Sequence, residues 1–251
     1  MSRPPRILVI AGSDSSGGAG IQADIKTVTM LGGYAMTAIT AVTAQNTRGV
    51  QAVETLSPDF VAAQIDACLE DIGADAVKIG MLGSADIAEV VADRLEDLGK
   101  PIVFDPVMVA TSGAALADDA TIEVFGWLME IATLTTPNVP ELAALGGRDV
   151  LEGIGISFLA KGGDAEGPEV TDLLVRPGQP DRIWTAARID THHTHGTGCT
   201  LSSAIATLLA QGQPLEQAIE GARGFVRAAL AAAPGFGSGQ GPLGHQAVRR
   251  D

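Results

Sequence analysis

The fold class of this chain is decided by residues 102–141, which read IVFDPVMVATSGAALADDATIEVFGWLMEIATLTTPNVPE. Two short segments, 102–104 and 134–136, have the length and β-branched content of strands. Between them, residues 118–130 carry apolar side chains at helical spacing. A strand, a helix and a second strand in this order predict two parallel strands joined by a crossover helix.

The same alternation runs along the rest of the chain. Ser57-Pro58-Asp59 combines a hydroxyl cap, a proline at the first helical position and an early acid, and Ser84 is a second predicted cap. Further predicted strands are 7–11, 35–42, 76–79 and 156–160, with a hairpin over 172–175 and 182–186; further predicted helices are 20–31, 58–72, 85–98, 197–209 and 215–232. The pattern predicts an α/β fold with a mainly parallel central sheet and helices on both faces. We expect one domain over 1–251, with a glycine-rich segment at about 234–251 that is either a mobile tail or a loop returning over the site.

Composition and charge exclude several classes of partner. The 251 residues carry a formal charge of −14, and the sequence pI is about 4.5. Such a surface repels phosphate backbones and anionic lipid, so we expect neither nucleic acid nor a membrane surface as a partner. A site for an anionic substrate would therefore need its own positive charge, from helix N-termini, a lysine or metal ions.

The mean hydropathy is positive, at +0.24, so membrane spans need a test. Three stretches lack formal charge, 27–47, 191–215 and 228–248, but polar residues, glycine or proline interrupt each one. The apolar run at 7–11 is too short for a signal peptide. We therefore expect a cytoplasmic protein. Cys68 and Cys199 fit neither a disulfide framework nor a zinc motif.

The segment 192–200, HHTHGTGCT, directly precedes an apolar helical pattern. Gly196 and Gly198 let the backbone approach a ligand closely, and the N–H groups of the first helical turn would face it. This arrangement predicts an anion hole for a phosphate. The alternative is a helix start that uses glycine without binding a ligand.

Cys199 lies in the predicted first turn of that helix, where a thiol pKa is typically lowered. It could therefore act as a general base toward an acceptor alcohol. The alternative is a small buried core residue, which is the usual place of a free cysteine.

Two polar residues could recognise a small ligand. Asp24 follows the loop 11–20, whose spacing matches neither a P-loop nor a dinucleotide fingerprint, and it could accept hydrogen bonds from an amine or alcohol. Its alternative is a solvated helix residue. Gln45 ends an apolar strand, and its carboxamide could bond an amine and a ring nitrogen together, as an aminopyrimidine requires. Its alternative is a turn residue bonded to nearby backbone.

Carboxylates and a lysine follow the later strands. Asp105 and Glu141 are suited to Mg²⁺, which takes a few oxygen ligands and keeps waters and phosphates as the others. Helix capping is the alternative at these positions, and Asn138 is a credible cap. Lys161, before a pair of glycines, could reach a phosphate as a point charge.

Together these segments resemble the hydroxymethylpyrimidine/phosphomethylpyrimidine kinase family, a branch of the ribokinase-like fold. The resemblance extends in order over nearly the whole chain. It is carried by AGSDSSGGAGIQADIKT (11–27), TAVTAQNT (40–47), VKIGML (77–82), DPVM (105–108), TPNVPE (136–141), AKGG (160–163) and THGTGCTLSSAIA (194–206). It implies phosphorylation of 4-amino-5-hydroxymethyl-2-methylpyrimidine and then of its monophosphate, with ATP and Mg²⁺, in a protein that is commonly a homodimer.

The resemblance also assigns roles to individual residues. It gives Asp24 and Gln45 to the pyrimidine, with Gly12, Ala19, Met81 and Val107 as pocket walls. It gives Lys161, Thr194 and Gly196 to the nucleotide phosphates, Glu141 to the metal region, and Gly198 and Cys199 to the anion hole and the base. Beside these, we expect Asn138 at the nucleotide and Asp105 at the metal.

The chain departs from the family pattern between Glu141 and Lys161, where a full helix usually precedes the strand leading to the lysine. Either a helix is deleted, leaving one sheet face less covered, or the sequence omits a segment. A pyridoxal kinase is the nearest alternative function, but residues 109–113 lack the cysteine that some relatives acting on both substrates carry there. A non-catalytic pyrimidine sensor is the alternative from another class, and the short segment 142–157 is its only support.

Overall fold

A computed structural model describes residues 3–110, 113 and 115–248 of the chain. The remaining positions are the first two residues, part of the stretch after Asp-Pro-Val-Met and the end of the predicted tail, and predictions that fall on them lie outside the described residues. Within the described part of the chain, nine strands form one sheet. They are β1 (Arg6–Asp14), β2 (Tyr34–Asn46), β3 (Gly49–Thr55), β4 (Ala76–Ile79), β5 (Ile102–Phe104), β6 (Leu134–Thr135), β7 (Phe158–Ala160), β8 (Glu169–Val175) and β9 (Arg182–Ala187).

The strand order is β3-β2-β1-β4-β5-β6-β7-β8-β9. The six central strands, β2, β1, β4, β5, β6 and β7, pair in parallel. Strand β3 at one edge and strands β8 and β9 at the other edge pair antiparallel. The helices are α1 (Gly20–Met30), α2 (Pro58–Asp71), α3 (Ala85–Leu95), α4 (Asp119–Ile131), α5 (Val139–Ala144), α6 (Arg148–Gly153), α7 (Thr197–Ala210) and α8 (Leu215–Ala231), followed by a 3₁₀ turn at His245–Ala247. The predicted α/β class is confirmed.

Strand β1 shows why both sheet faces are covered. Its residues alternate between the two faces, and all of 7–10 are apolar and buried. Leu8 and Ile10 join the core under α2, α3 and α4, while Ile7 and Val9 join the core under α1, α7 and α8. A continuous apolar run is therefore what a strand at the centre of such a sheet requires.

The predicted helix starts at Ser57 and Ser84 are confirmed. The Ser57 hydroxyl accepts a hydrogen bond from the Phe60 N–H at 3.3 Å, and the Ser84 hydroxyl accepts one from the Ile87 N–H at 3.3 Å. Each bond satisfies an N–H of the first turn that has no partner within its own helix.

The short segment 142–157 is helical after all. Helices α5 and α6, of six residues each, take the place of one longer helix between β6 and β7. Leu151 and Ile156 are buried in the core shared with α4, so this face of the sheet remains covered.

Strand β3 was not predicted from the sequence. Its side chains from Gln51 to Thr55 are exposed on both faces, so it lacks the apolar alternation that marks a half-buried strand. Among the helices of the described residues, none is long and apolar enough to cross a membrane.

Candidate active site

The polar and glycine-rich segments singled out in the sequence meet at one edge of the sheet. Asp14 ends β1, Asp105 follows β5, Thr136 follows β6 and Lys161 follows β7. In an open α/β sheet this edge, at the carboxyl ends of the parallel strands, is where ligands bind. The first turn of α7 packs against it.

Lys161 forms the cationic centre of this edge. Its Nζ lies 2.7 Å from Asp105 Oδ1 and 3.7 Å from Glu141 Oε2. The Thr136 hydroxyl donates to Asp105 Oδ1 at 3.1 Å. Although burial disfavours the ammonium, the two carboxylates raise the pKa of Lys161, so the side chain stays protonated. Burial raises the pKa of Glu141, although the positive charge of Lys161 acts in the opposite direction.

Asn138 caps helix α5, the alternative that the sequence left open. Its side-chain oxygen accepts from the Glu141 N–H at 2.8 Å, and Glu141 Oε2 accepts from the Asn138 N–H at 2.8 Å. The capping box orients the Glu141 carboxylate beside Lys161. A contact of Asn138 with a nucleotide stays a prediction.

Gly196 and Gly198 let the start of α7 approach the loops around it. Gly196 is the N-cap residue with φ of 89°, in the left-handed region that favours glycine, and an added Cβ would collide with the Gly18 carbonyl. An added Cβ on Gly198 would lie 3.3 Å from both Asp105 Oδ2 and Lys161 Nζ. The N-terminal end of α7 therefore sits directly beside the lysine. Such an end favours anions, as the predicted anion hole requires.

Thr194 belongs to the turn that leads into α7. Its carbonyl oxygen accepts a hydrogen bond from the Thr197 N–H at 3.3 Å. This places Thr194 within one turn of the glycines, while its predicted contact with a nucleotide phosphate stays a prediction.

The predicted lowering of the Cys199 pKa is wrong. Burial raises the pKa of the thiol to about 11, and the carboxylates of Asp24 and Asp105 act in the same direction. Lys78 has the opposite effect, but it does not offset the loss of solvent. The helix terminus alone therefore does not make this thiol acidic.

Asp24 is fully buried, so the alternative of a solvated helix residue is wrong. Its Oδ2 pairs with Lys78 Nζ at 2.9 Å, and both side chains have 0% exposure. Its Oδ1 accepts from the Ser203 hydroxyl at 2.6 Å. Both oxygens are thus engaged inside the protein, and a direct hydrogen bond from a pyrimidine would require rearrangement of this pair. That contact stays a prediction.

Gln45 reaches a cavity of about 360 Å³ at the same edge. The cavity is lined by Gln45, Asn46, Thr47, Arg48, His195, Gly239 and Gln240. The Gln45 carboxamide oxygen accepts from Thr43 at 3.0 Å, and its nitrogen lies 3.4 Å from His195 Nε2. Thr43 and His195 therefore fix the orientation of the Gln45 amide at the cavity wall.

Two of the four residues predicted to form the pocket walls contact each other. An added Cβ on Gly12 would lie 2.7 Å from Met81 Cε, so these two residues pack together. Val107 lies in the turn after β5, where its N–H donates to the Asp105 carbonyl at 2.8 Å. Ala19 immediately precedes α1 and faces Gly196. All four lie at the edge that holds the site, and their contact with a pyrimidine stays a prediction.

Asp14 and His195 form a centre that the sequence analysis missed. The Asp14 carboxylate accepts from the N–H groups of Gly18 at 3.0 Å and Ala19 at 2.8 Å, and from His195 Nε2 at 2.8 Å. Although burial opposes ionisation, these bonds and those from Ser16 lower the pKa of Asp14 to about 2. The one local signal is an aspartate inside a Ser/Gly loop, where it commonly bonds nearby backbone. Nothing local links it to His195, 181 residues away.

The described part of the glycine-rich segment returns over the site. The Gly241 carbonyl accepts from the His195 N–H at 3.1 Å. Further on, His245 is fully buried, and its Nε2 lies 2.8 Å from the Thr200 hydroxyl in α7. Burial lowers the pKa of His245 to about 4, so the ring is neutral near pH 7.

The chain is similar to known kinases along most of its length. The family described as phosphomethylpyrimidine kinase matches residues 14–244. The hydroxymethylpyrimidine/phosphomethylpyrimidine kinase of Rhizobium meliloti is 46% identical over 255 residues, covering 95% of this chain and 96% of that protein.

Two solved structures share the fold. The phosphomethylpyrimidine kinase of Clostridium difficile has a TM-score of 0.75 and 37% identity, over 90% of this chain and 98% of that one. The pyridoxal kinase of Staphylococcus aureus in complex with AMP-PCP and pyridoxal has a TM-score of 0.87 and 31% identity, over 98% and 95%. With the family matched along nearly all of its length, the chain belongs to the phosphomethylpyrimidine kinase family and is a phosphotransferase of the ribokinase-like fold.

Proposed function

We propose that this protein transfers the terminal phosphoryl group of ATP to the hydroxymethyl group of 4-amino-5-hydroxymethyl-2-methylpyrimidine, and then to the monophosphate. The observation that carries the proposal is the position of Gly198, whose added Cβ would lie 3.3 Å from both Lys161 Nζ and Asp105 Oδ2. The start of a helix, an ammonium group and a carboxylate thus converge where a phosphoryl group would pass. The Gln45 cavity opens at the same edge of the sheet.

On the acceptor side, Gln45 is the residue suited to reading the pyrimidine. Its carboxamide carries both a donor and an acceptor, matching an exocyclic amine next to a ring nitrogen. Gly12, Ala19, Met81 and Val107 would form the walls around the ring. Asp24, whose two oxygens already bond to Lys78 and Ser203, would contact the pyrimidine only if this pair rearranged.

On the nucleotide side, Lys161 and the first turn of α7 would neutralise charge on the phosphates. Phosphoryl transfer requires positioning and charge stabilisation more than covalent chemistry. Lys161 stays protonated, and the N–H groups after Gly196 add the positive end of a helix dipole. Thr194 and Asn138 would border the phosphate chain. ATP as donor is supported by the complex of the S. aureus relative with AMP-PCP.

Asp105 and Glu141 fit a divalent cation shared with the phosphates. Both carboxylates are buried, and a single ammonium group lies between them. No cluster of three or more His, Cys, Asp or Glu forms a metal cage in the part of the chain that the structure describes. Two carboxylates completed by waters and phosphate oxygens are what Mg²⁺ commonly accepts, and the bound ion would neutralise phosphate charge.

Cys199 would accept the proton of the alcohol in the first transfer. Because the thiol pKa is about 11, the thiolate is scarce near pH 7, and the first transfer should accelerate as the pH rises. The second acceptor is already an anion and needs no such base. The two transfers should therefore differ in their dependence on pH and on Cys199.

Pyridoxal phosphorylation is a second candidate function. It is favoured by the likeness to the S. aureus pyridoxal kinase over 98% of this chain. Against it, residues 109–113 contain no cysteine. Turnover of pyridoxal and of the hydroxymethylpyrimidine, compared under identical conditions, separates the two candidates.

We also propose that the protein is a homodimer. The edge formed by β2, β3 and α2 exposes Tyr34, Val42, Val53 and Phe60, each by more than 40% of its surface. Light scattering on the purified protein tests this, and a mass of one chain at assay concentrations would reject it. The cytoplasmic location remains a prediction of the sequence.

The function is tested by incubating the purified protein with hydroxymethylpyrimidine, ATP and Mg²⁺ and following products by mass spectrometry. Both mono- and diphosphate are expected. Monophosphate alone would restrict the enzyme to one transfer. Pyrimidine binding without any product would reject the assigned reaction and favour the sensor.

A further inference from the structure

The turn that follows β7 is attached to the neighbouring strand through one buried carboxylate. Lys161 bonds through its own N–H to the Pro137 carbonyl at 2.8 Å, and the next N–H, that of Gly162, donates to Asp172 Oδ1 at 2.9 Å. An added Cβ on Gly162 would collide with the Thr171 carbonyl. The backbone that carries the lysine is therefore pressed against β8 and bonded to it.

Asp172 is in turn held by an arginine from the last long helix. Arg223 Nε, in α8, donates to Asp172 Oδ2 at 2.6 Å, and Arg223 Nη2 donates to the Trp184 carbonyl of β9 at 3.2 Å. The side chains of Asp172 and Arg223 are only 9% and 12% exposed. The two bonds fix the guanidinium plane, which in turn fixes which carboxylate oxygen faces Gly162.

We infer that Arg223 is a positioning residue for Lys161, acting through Asp172 and the Gly162 N–H. The inference rests on the proposed contact of Lys161 with the nucleotide phosphates. Without Arg223, the Asp172 carboxylate would keep only one of these partners, the Gly162 N–H. Because a buried charge without a counter-charge is unfavourable, the side chain would turn toward solvent. The Gly162 N–H, next to Lys161 in the chain, would then lose its bond to β8, and the Lys161 ammonium would shift relative to Asp105 and the start of α7. Small displacements of a positioning group have large kinetic effects.

A purely structural role predicts a different result. If Arg223 only joins α8 to β8 and β9, its removal lowers the melting temperature and leaves the kinetics of the folded enzyme unchanged. If it positions Lys161, the loss appears in the kinetics toward ATP at temperatures where the variant is fully folded. The pyrimidine cavity, at Gln45 and His195, shares none of these contacts.

The variants are Arg223→Met and Arg223→Lys, with Arg227→Met as the matched control. Arg227 lies one turn further along α8, and its Nη1 donates to the Ala187 carbonyl at 2.8 Å without any bond to Asp172. For Arg223→Met we expect kcat/KM for ATP to fall by about tenfold to a hundredfold, with the Kd of the pyrimidine within about twofold of the parent. Arg223→Lys, which keeps a charged donor for Asp172 but not the fixed guanidinium plane, should recover only part of this loss.

The inference is overturned if Arg223→Met retains the ATP kinetics of Arg227→Met, or if its ATP and pyrimidine constants weaken equally. Lys161→Met separates this failure from failure of the proposed function. An unchanged KM for ATP and an unchanged kcat in Lys161→Met would reject the role of the lysine itself. A large effect there, with none at Arg223, rejects only the inference.

Should Arg223→Met not fold, Asp172→Asn/Arg223→Met removes the unpaired charge and keeps an oxygen for the Gly162 N–H. This double variant should bind the pyrimidine normally and still show the ATP defect, because nothing orients the amide. Kinetics toward ATP like those of the parent would overturn the inference.

Discussion

Substitution of Lys78 by methionine removes one half of a fully buried ion pair. The Lys78 ammonium lies 2.9 Å from Asp24 Oδ2, and neither side chain is exposed. Methionine fills much of the same space but leaves the Asp24 carboxylate buried with only the Ser203 hydroxyl as a side-chain donor. Breaking such a pair from one side costs about 3 to 5 kcal/mol, a large part of the roughly 5 to 15 kcal/mol that stabilises a typical domain.

We expect Lys78→Met to lower the free energy of unfolding by that amount, measured by urea denaturation near pH 7. Lys100→Met, at an exposed lysine, is the matched control and should cost less than about 0.5 kcal/mol. The double variant Asp24→Asn/Lys78→Met leaves no buried charge at the pair, and its stability should return to within about 1 kcal/mol of the parent.

The pH dependence provides an independent test of the same pair. Burial raises the pKa of Asp24 even with Lys78 present, and loss of the ammonium raises it further. A carboxyl whose folded pKa is raised stabilises the fold at low pH and loses this contribution as the pH rises through that pKa. The deficit of Lys78→Met should therefore shrink on acidification from about pH 7 to about pH 5. A single-variant cost below about 1 kcal/mol, or a double variant as unstable as the single, would refute the reasoning.

Three further predictions concern the thiol, the buried histidine and the first loop. Cys199→Ala should slow transfer to the alcohol at least about tenfold while slowing transfer to the monophosphate less, because only the alcohol must lose a proton; equal losses in separate single-turnover assays of the two acceptors would contradict the base role. His245 stays neutral in the fold down to a pKa of about 4, whereas a histidine in the unfolded chain binds its proton below its ordinary pKa of about 6.5. Stability from this residue is therefore full above about pH 6.5 and declines toward about pH 4, by up to about 3 kcal/mol, and His245→Gln should lack this part of the slope in denaturation curves. Gly18→Ala should raise KM for the pyrimidine about tenfold, because the added Cβ would overlap the His195 ring and displace it from the cavity wall. Gly163→Ala, where an added Cβ meets nothing within 4 Å, is its control, and equal KM values in the two variants would show that the ring position is unimportant.

Local patterns were enough to predict most of the fold. Apolar runs and helix caps at Ser57 and Ser84 gave the order of strands and helices, since these signals lie within a few residues of one another. Strand β3 was not predicted because its exposed side chains show no apolar periodicity. The helices of 142–157 were missed because each has only six residues and glycines surround them.

The candidate site was less predictable, because its decisive contacts join distant parts of the chain. Glycines 196 and 198 were identified by their spacing before a helix, and the structure places Gly198 beside Lys161 and Gly196 against the first loop at Gly18. Pairs such as Asp14 with His195 have no local signature. The direction of the Cys199 pKa was wrong because the sequence indicates a helix terminus but not the burial of the thiol near the carboxylates of Asp24 and Asp105.

The return of the C-terminal segment over the site has a consequence for synthesis of the protein. Asp14 is made early, yet its partner His195 follows 181 residues later, and Gly241 and His245 follow later still. Until these residues have been made, the first loop lacks His195, His195 lacks the Gly241 carbonyl, and the start of α7 lacks the histidine that bonds to Thr200. A ribosome-bound chain can build its early strands and helices, but it cannot close the binding edge. Ligand binding thus becomes available only after nearly the whole chain has emerged, and ATP or pyrimidine cannot assist the folding of the earlier segments.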